Sequence, residues 1–251
     1  MLKSPFLLLM FMAIISCKNE PKTTVPDAHL IIDKSMERAG SNLVSMSEIE
    51  FDFRNIHYKA IRNKGHFQLS RTIMRNDSII YDVLNNADLN RYVNDSLIEL
   101  SEVDIAKYSS SVNSVHYFSV LPFGLDDTAV NKRYIDSTMI KNQPYHIIEI
   151  TFNEDGGGED FEDVFLYWIH AQTFKIVYLA YKFFTEGGGM RFREAYNERF
   201  ENGIRFVDYK NYKPETKLVT LRELQTLFES DNLELLSTIQ LENLKVTLID
   251  N

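Results

Sequence analysis

The chain has 251 residues, 44% hydrophobic and 25% charged, an ordinary globular composition with enough apolar material for a sizeable core. Its 36 acidic and 27 basic residues give a net charge of −9, which disfavours nucleic acid and anionic membrane faces as partners. The single cysteine, Cys17, excludes an internal disulfide.

The N-terminus carries an apolar run from Pro5 to Ile15, preceded by Lys3. It is too short to span a membrane, which takes roughly 20 apolar residues. A basic start, a short apolar stretch and a small residue before cysteine fit a secretory signal. Ile14-Ile15-Ser16-Cys17 resembles the lipobox of bacterial lipoproteins, with Ile14 where leucine is usual. Residues 1–16 therefore read as a signal peptide and Cys17 as the lipid-bearing first residue of the exported chain. Lys18-Asn19-Glu20 is similar to the export signal of Bacteroidota surface lipoproteins. The alternative is a plain cleaved signal with an incidental cysteine. An exposed free thiol would be a liability, and acylation removes it. Removing residues 1–16 takes away Lys3 and no acidic residue, so the exported chain is one charge more negative. Membrane association would then come from the Cys17 lipid, since two or more acyl chains anchor stably where one does not. The expected address is the cell envelope, at the outer membrane of a Gram-negative bacterium.

Residues 17–27, with Pro21 and Pro26, read as a flexible tether. No long Pro/Ser/Gly linker follows, so 28–251 reads as one domain. Asp27 can cap a helix over Ala28–Ala39 that Gly40 terminates, and Ala28, Ile31, Ile32, Ser35 and Ala39 share one face of it. The period then changes to two. Ile49, Phe51 and Phe53 alternate with charged residues, as in a half-buried strand. Strands follow at His57–Arg62, His66–Thr72 and Ser78–Leu84, with Asn63-Lys64-Gly65 as a hairpin turn. Weaker strand patterns cover Asn90–Val93 and Leu97–Leu100. Ser101 opens a second helix toward Phe118, through a weak Ser109-Ser110-Ser111 middle, and Pro122 stops it. Beyond it come strands at Arg133–Ile140, Tyr145–Phe152, Phe161–Ile169, Ile176–Thr185, Met190–Phe200 and Ile204–Tyr212. A short helix near Thr220–Phe228 and a last strand near Ile239–Leu248 complete the chain. Short turns between consecutive strands imply antiparallel pairing, and a sheet of about ten strands must curl. The expected fold is mainly β: a strongly curved antiparallel sheet or incomplete barrel, with two or three helices covering its concave face. Doubly wound and (β/α)₈ folds need an alternation of strand and helix that is missing.

Several stretches together resemble an uncharacterised family of Bacteroidota lipoproteins. They are Ile49-Glu50-Phe51-Asp52-Phe53-Arg54, Tyr117 to Phe123, Phe165-Leu166-Tyr167-Trp168-Ile169, Arg191-Phe192-Arg193-Glu194, and Asn202-Gly203-Ile204 to Asp208-Tyr209. The likeness covers most of residues 28–249, and the family is similar to the lipoprotein-carrier (LolA-like) fold. That resemblance implies an incomplete barrel whose cavity, between sheet and helices, takes up acyl chains or other hydrophobic ligands. Soluble carriers are not lipidated, so an anchor at Cys17 favours a fixed binder over a shuttle. An aldolase label used for some members finds no support. A Schiff-base aldolase needs a lysine of depressed pKa at a barrel-strand end, and the frame is lacking.

The candidate chemistry is sparse. Glu154, Asp155, Glu159, Asp160, Glu162 and Asp163 flank a triple glycine, where Ca²⁺ is conceivable but EF-hand spacing is absent and a solvated hairpin tip is the simpler reading. The six histidines lack metal-motif spacing, and no G-x-S-x-G elbow occurs. We therefore expect no enzyme, cofactor or metal. Aromatics are abundant, at 17 Phe, 13 Tyr and one Trp. They either fill an ordinary core or line a hydrophobic cavity. For the second case the candidate lining is Phe53, Tyr58, Phe118, Phe123, Trp168 and Phe183. Arg54, Arg71, Arg191 and Arg193 could meet a ligand head group, or lie on the solvent face paired with Glu50, Glu194 or Asp208. The expected function is an anchored lipoprotein that binds a lipid or lipoprotein acyl chain. The alternative is an interaction lipoprotein with a filled core that binds another envelope protein.

Overall fold

The computed structural model describes residues 25–156, 161–184 and 187–250. The signal peptide, Cys17, most of the tether, and Glu159 and Asp160 of the acidic run lie outside the described residues.

Helix α1 (Ala28–Ala39) starts where the Asp27 carboxylate accepts from the His29 amide at 2.9 Å. It buries Ala28, Ile31, Ile32, Ser35 and Ala39, the face its spacing predicts. Gly40 ends it at φ +67°, a left-handed conformation suited to glycine. A Cβ there would sit 2.1 Å from the Gly203 carbonyl oxygen, so the end of α1 rests directly on a backbone turn. A four-residue helix, α2 (Ser41–Val44), leads into the first meander.

That meander is β1 (Met46–Phe53), β2 (Ile56–Asn63), β3 (His66–Arg75), β4 (Ser78–Asn85), β5 (Leu89–Val93) and β6 (Ser96–Ile98). Helix α3 (Glu102–Ser119) follows, with the Ser101 hydroxyl accepting from the Asp104 amide at 3.2 Å. The second meander is β7 (Val130–Ile140), β8 (Gln143–Phe152), β9 (Val164–His170), β10 (Ile176–Phe183), β11 (Gly189–Glu201) and β12 (Ile204–Pro214). Then come α4 (Glu223–Glu229), β13 (Leu233–Ile239) and β14 (Glu242–Leu248).

Among the described residues all strands pair antiparallel, in two seven-stranded sheets rather than a single sheet of about ten. One has the order β14-β1-β2-β3-β4-β5-β6 and the other β13-β12-β11-β10-β9-β8-β7. The expected last strand is β14, and before it comes β13, a strand the sequence did not reveal; between them the chain turns at Gln240-Leu241 and passes from one sheet to the other. That seam is pinned by side chains. Asp208 accepts from the Leu241 amide at 3.1 Å, and Arg199 donates to the Leu241 carbonyl at 2.8 Å. The result is a curved, unclosed antiparallel β structure with helices inside the curve.

The helices do not all share that inner side. α1 packs on the inner face of the second sheet with Ile148, Ile150, Tyr167, Ile169 and Leu179. α3 packs on the first sheet, against Ala60, Leu69 and Leu89. α4 covers the opposite face of the second sheet, where Leu224 and Phe228 meet Leu166, Trp168, Tyr178 and Phe192. The second sheet is therefore buried on both faces, and β9 from Phe165 to Ile169 is buried throughout.

Candidate functional site

α3 is held on the first sheet by a buried charge network. Asp82 of β4 accepts from Arg71 of β3 at 2.7 Å and from Arg91 of β5 at 2.6 and 2.8 Å. Arg71 also donates to Ser111 of α3 at 2.7 Å, and the Arg91 guanidinium lies 3.5 Å from the centre of the Tyr108 ring. The far side of α3 faces the inner surface of the second sheet across a gap.

That gap is a cavity of about 370 Å³, within the roughly 300–1,000 Å³ typical of small-molecule sites. Its sheet wall holds Phe152, Phe165, Tyr181 and Phe183, its seam wall Phe53, Ile239 and Leu241, and its helix wall Ser110, Asn113, Ser114 and Phe118. The rings support one another. Phe165 stacks on Tyr181 at 5.4 Å, and Phe118 lies 5.3 Å from Tyr181. Deeper in, Tyr117 and Tyr167 share a hydroxyl hydrogen bond of 3.0 Å. Burial pushes both phenols, and that of Tyr209, above the ordinary tyrosine range, so all three stay neutral.

Two arginines of β11 reach this space. Arg191 lies over the Phe183 ring at 5.0 Å and donates to the Met190 carbonyl at 2.9 Å. Arg193 is only 7% exposed. Its guanidinium packs 3.9 Å from the Phe118 ring centre, and its Nη2 donates to the Tyr181 hydroxyl at 2.8 Å. Its Nε and Nη1 are buried without an acceptor among the described residues.

Of the residues proposed for the lining, Phe53, Phe118 and Phe183 come together here. Tyr58, Phe123 and Trp168 do not. Tyr58 stacks on Phe51 at 5.4 Å in the packed layer between α3 and the first sheet. Phe123 lies 5.4 Å from the Arg62 guanidinium and borders a separate hollow with Met36, Glu37 and Asn42. Trp168 has the wrong strand parity. It faces α4 and donates to Gln225 at 2.8 Å, whereas its neighbours Phe165 and Tyr167 face inward. Parity also corrects the arginines. With Met190 and Phe192 packed under α4, Arg191 and Arg193 must point in and not to solvent. Arg71 is buried on Asp82, and the proposed partners Glu50, Glu194 and Asp208 pair instead with Lys59, Lys141 and Arg199. Arg54 sits in the β1–β2 turn, 4.9 Å from the Phe53 ring centre. Sequence reasoning missed Phe152, Phe165 and Tyr209. Each lies two residues along its strand from another inward-facing side chain (Ile150, Tyr167 and Val207), which is the signal that could have found them. Among the described residues, no three His, Cys, Asp or Glu side chains converge as a metal would require.

No curated protein matches the chain in sequence. Among solved structures, a LolA superfamily protein from Nitrosomonas europaea superposes with a TM-score of 0.51 at 11% identity, covering 90% of this chain and 94% of that one. A DUF1329 family protein from Desulfovibrio piger gives a TM-score of 0.46 at 9% identity, with coverages of 87% and 92%. A putative outer membrane lipoprotein-sorting protein domain from Vibrio parahaemolyticus gives 0.42 at 9% identity, with coverages of 74% and 86%. The first of these establishes the LolA-like fold that the sequence resemblance implied. A model of a family of unknown function, DUF6503, matches residues 3–242, so the chain belongs to that family.

Proposed function

We propose that this chain is a non-catalytic envelope lipoprotein that holds a hydrophobic ligand between α3 and the second sheet. The observation that carries the reading is the aromatic-lined cavity of about 370 Å³ inside the curve. Interiors normally pack to few voids larger than a water molecule. Here the space opens between α3 and the inner face of the second sheet, and aromatic rings make up much of its wall. Apolar burial supplies the affinity, at about 0.8 kcal/mol per methylene removed from water. The LolA superfamily fold and the lipobox-like Ile14-Ile15-Ser16-Cys17 support an envelope setting.

Purified protein lacking residues 1–17 is expected to take up the neutral fluorophore N-phenyl-1-naphthylamine with a saturable rise in emission. Ser114, on the helix wall, has room for a larger side chain. Ser114→Trp should fill the cavity and weaken uptake several-fold with the melting temperature little changed. No uptake by the parent protein would sink the reading. Uptake indifferent to Ser114→Trp would move the ligand elsewhere.

The anchor is tested separately. In a Gram-negative host the full chain is expected in the membrane fraction and to incorporate labelled palmitate. Cys17→Ser should abolish both. A Cys17→Ser chain that remains membrane-bound would refute anchoring through that residue.

A further inference from the structure

We propose that the ligand is a single-chain amphiphile with an anionic head group, and that the head group is received by Arg193. This rests on the cavity reading above and adds the chemical class of the occupant.

On β11, Gly189 pairs with Phe183 at the strand end, Arg191 pairs with Tyr181, and Arg193 pairs with Leu179. Arg193 is thus the innermost of the two cations, a full inward-facing step beyond Arg191. A guanidinium does not deprotonate in proteins, so its charge stays however deeply it is buried. A buried charge is normally paired, because desolvation is costly and the counter-ion offsets it. Among the described residues, Arg193 has only the Tyr181 hydroxyl and the faces of Phe118, Tyr181 and Tyr209 at 3.9, 5.0 and 5.9 Å. Ring faces attract a cation but leave its N–H donors unused. Two of its three nitrogens have no acceptor among the described residues.

The surroundings select the missing partner. An apolar occupant would leave those donors empty, and a cationic one would be repelled. Asp163 lines the same cavity and makes contacts of its own, but it precedes Val164, which pairs with Lys182 near the strand end. Two arginines against one carboxylate leave the described lining net positive, inside a chain whose overall charge is −9. The aromatic walls suit an alkyl chain. The volume, near the low end of the usual range for small-molecule sites, suits one chain and not the several of a lipoprotein anchor.

The experiment is displacement of N-phenyl-1-naphthylamine from protein lacking residues 1–17 by three ligands of equal chain length. These are palmitate, palmitoyl lysophosphatidate and hexadecanol. Palmitate is expected to displace at roughly tenfold lower concentration than hexadecanol, the scale of a hydrogen bond to a charged group. Arg193→Met should remove that preference while hexadecanol still binds. Lysophosphatidate matching palmitate would assign the site to anionic heads in general, and palmitate alone to carboxylates; either supports the proposal. Equal displacement by palmitate and hexadecanol in the parent protein would overturn it, whether or not Arg193→Met folds. So would a preference that survives in Arg193→Met. Failure of every ligand, with no probe uptake at all, would overturn the cavity reading itself, which is a different result from uptake without head-group preference.

Discussion

Replacing Asp82 with alanine is expected to lower folding stability by about 3–5 kcal/mol, the usual cost of removing one partner from a buried ion pair. Asp82 is fully buried on β4, and both its oxygens are used, one by Arg91 alone and one by Arg71 and Arg91 together. Without it, two guanidinium groups remain in a site with little water and no counter-charge. Burial by itself pushes the Asp82 carboxyl upward, but the hydrogen bonds and charges of Arg91 and Arg71 outweigh it and hold the group below its ordinary value of 3.8. The native state therefore favours the ionised form. That contribution is complete above the ordinary carboxylate range and is lost as pH falls through the depressed native value. The pair also positions α3, through Arg71 on Ser111 and Arg91 over Tyr108, so the cavity wall loosens with it. Urea unfolding of Asp82→Ala at pH 7 measures the effect. The triple change Arg71→Met, Asp82→Leu, Arg91→Met is expected to recover most of the loss, because it removes the charges instead of orphaning them. A loss below about 1 kcal/mol in the single variant would show that water reaches the guanidinium groups and that the network is not dry.

Asp82 also shows what the sequence conceals. It stands at the same strand parity as Ile80 and Leu84, so a charge on an apolar face was visible in Ser78–Asn85, but its two partners lie on neighbouring strands and no spacing reveals them. The elements themselves were legible where turn chemistry and period agreed. Asp27 and Gly40 bracket α1, and Asn63-Lys64-Gly65 joins β2 to β3. β13 was not legible, since Leu233–Ile239 carries no alternation and is largely exposed. A cavity between sheet and helices was implied by the resemblance, but the residues that line it were only half legible. Alternation identifies a buried face only when the other face meets water. The second sheet is covered on both sides, so Trp168 and Phe165 look equivalent in sequence while one packs under α4 and the other lines the cavity.

Between pH 7 and pH 5 the protein is expected to lose about 2 kcal/mol of stability through His116 alone. This residue of α3 is 1% exposed, and the rings of Phe51 and Tyr58 stand edge-on to it at 5.9 and 5.6 Å. Its Nε2 lies 3.0 Å from the Ser70 carbonyl, which can only accept, so Nε2 carries the proton and Nδ1 is bare. Nδ1 has no partner among the described residues, and a proton placed there would be a second buried charge near Arg62. Burial, the largest cause, brings the imidazole down from 6.5 to about 3, and Arg62 adds to the shift against the Ser70 hydrogen bond. The unfolded chain thus takes up its proton first as pH falls. Stability from this residue is complete above pH 6.5 and is lost progressively toward pH 3. His146, lowered by burial as well, acts in the same direction. The carboxylates with depressed values act only below their ordinary range near 4, outside this window. The gap between urea midpoints at pH 7 and pH 5 is expected to shrink in His116→Gln, which keeps a donor for the Ser70 carbonyl but cannot titrate, to what His146 contributes. If the variant weakens between those pH values as much as the parent does, the imidazole is already solvated and α3 does not seal the first sheet. Because Tyr117 and Phe118 follow His116 directly, acid is expected to release the cavity wall before the rest of the fold, and probe emission should fall at a higher pH than the loss of sheet circular dichroism.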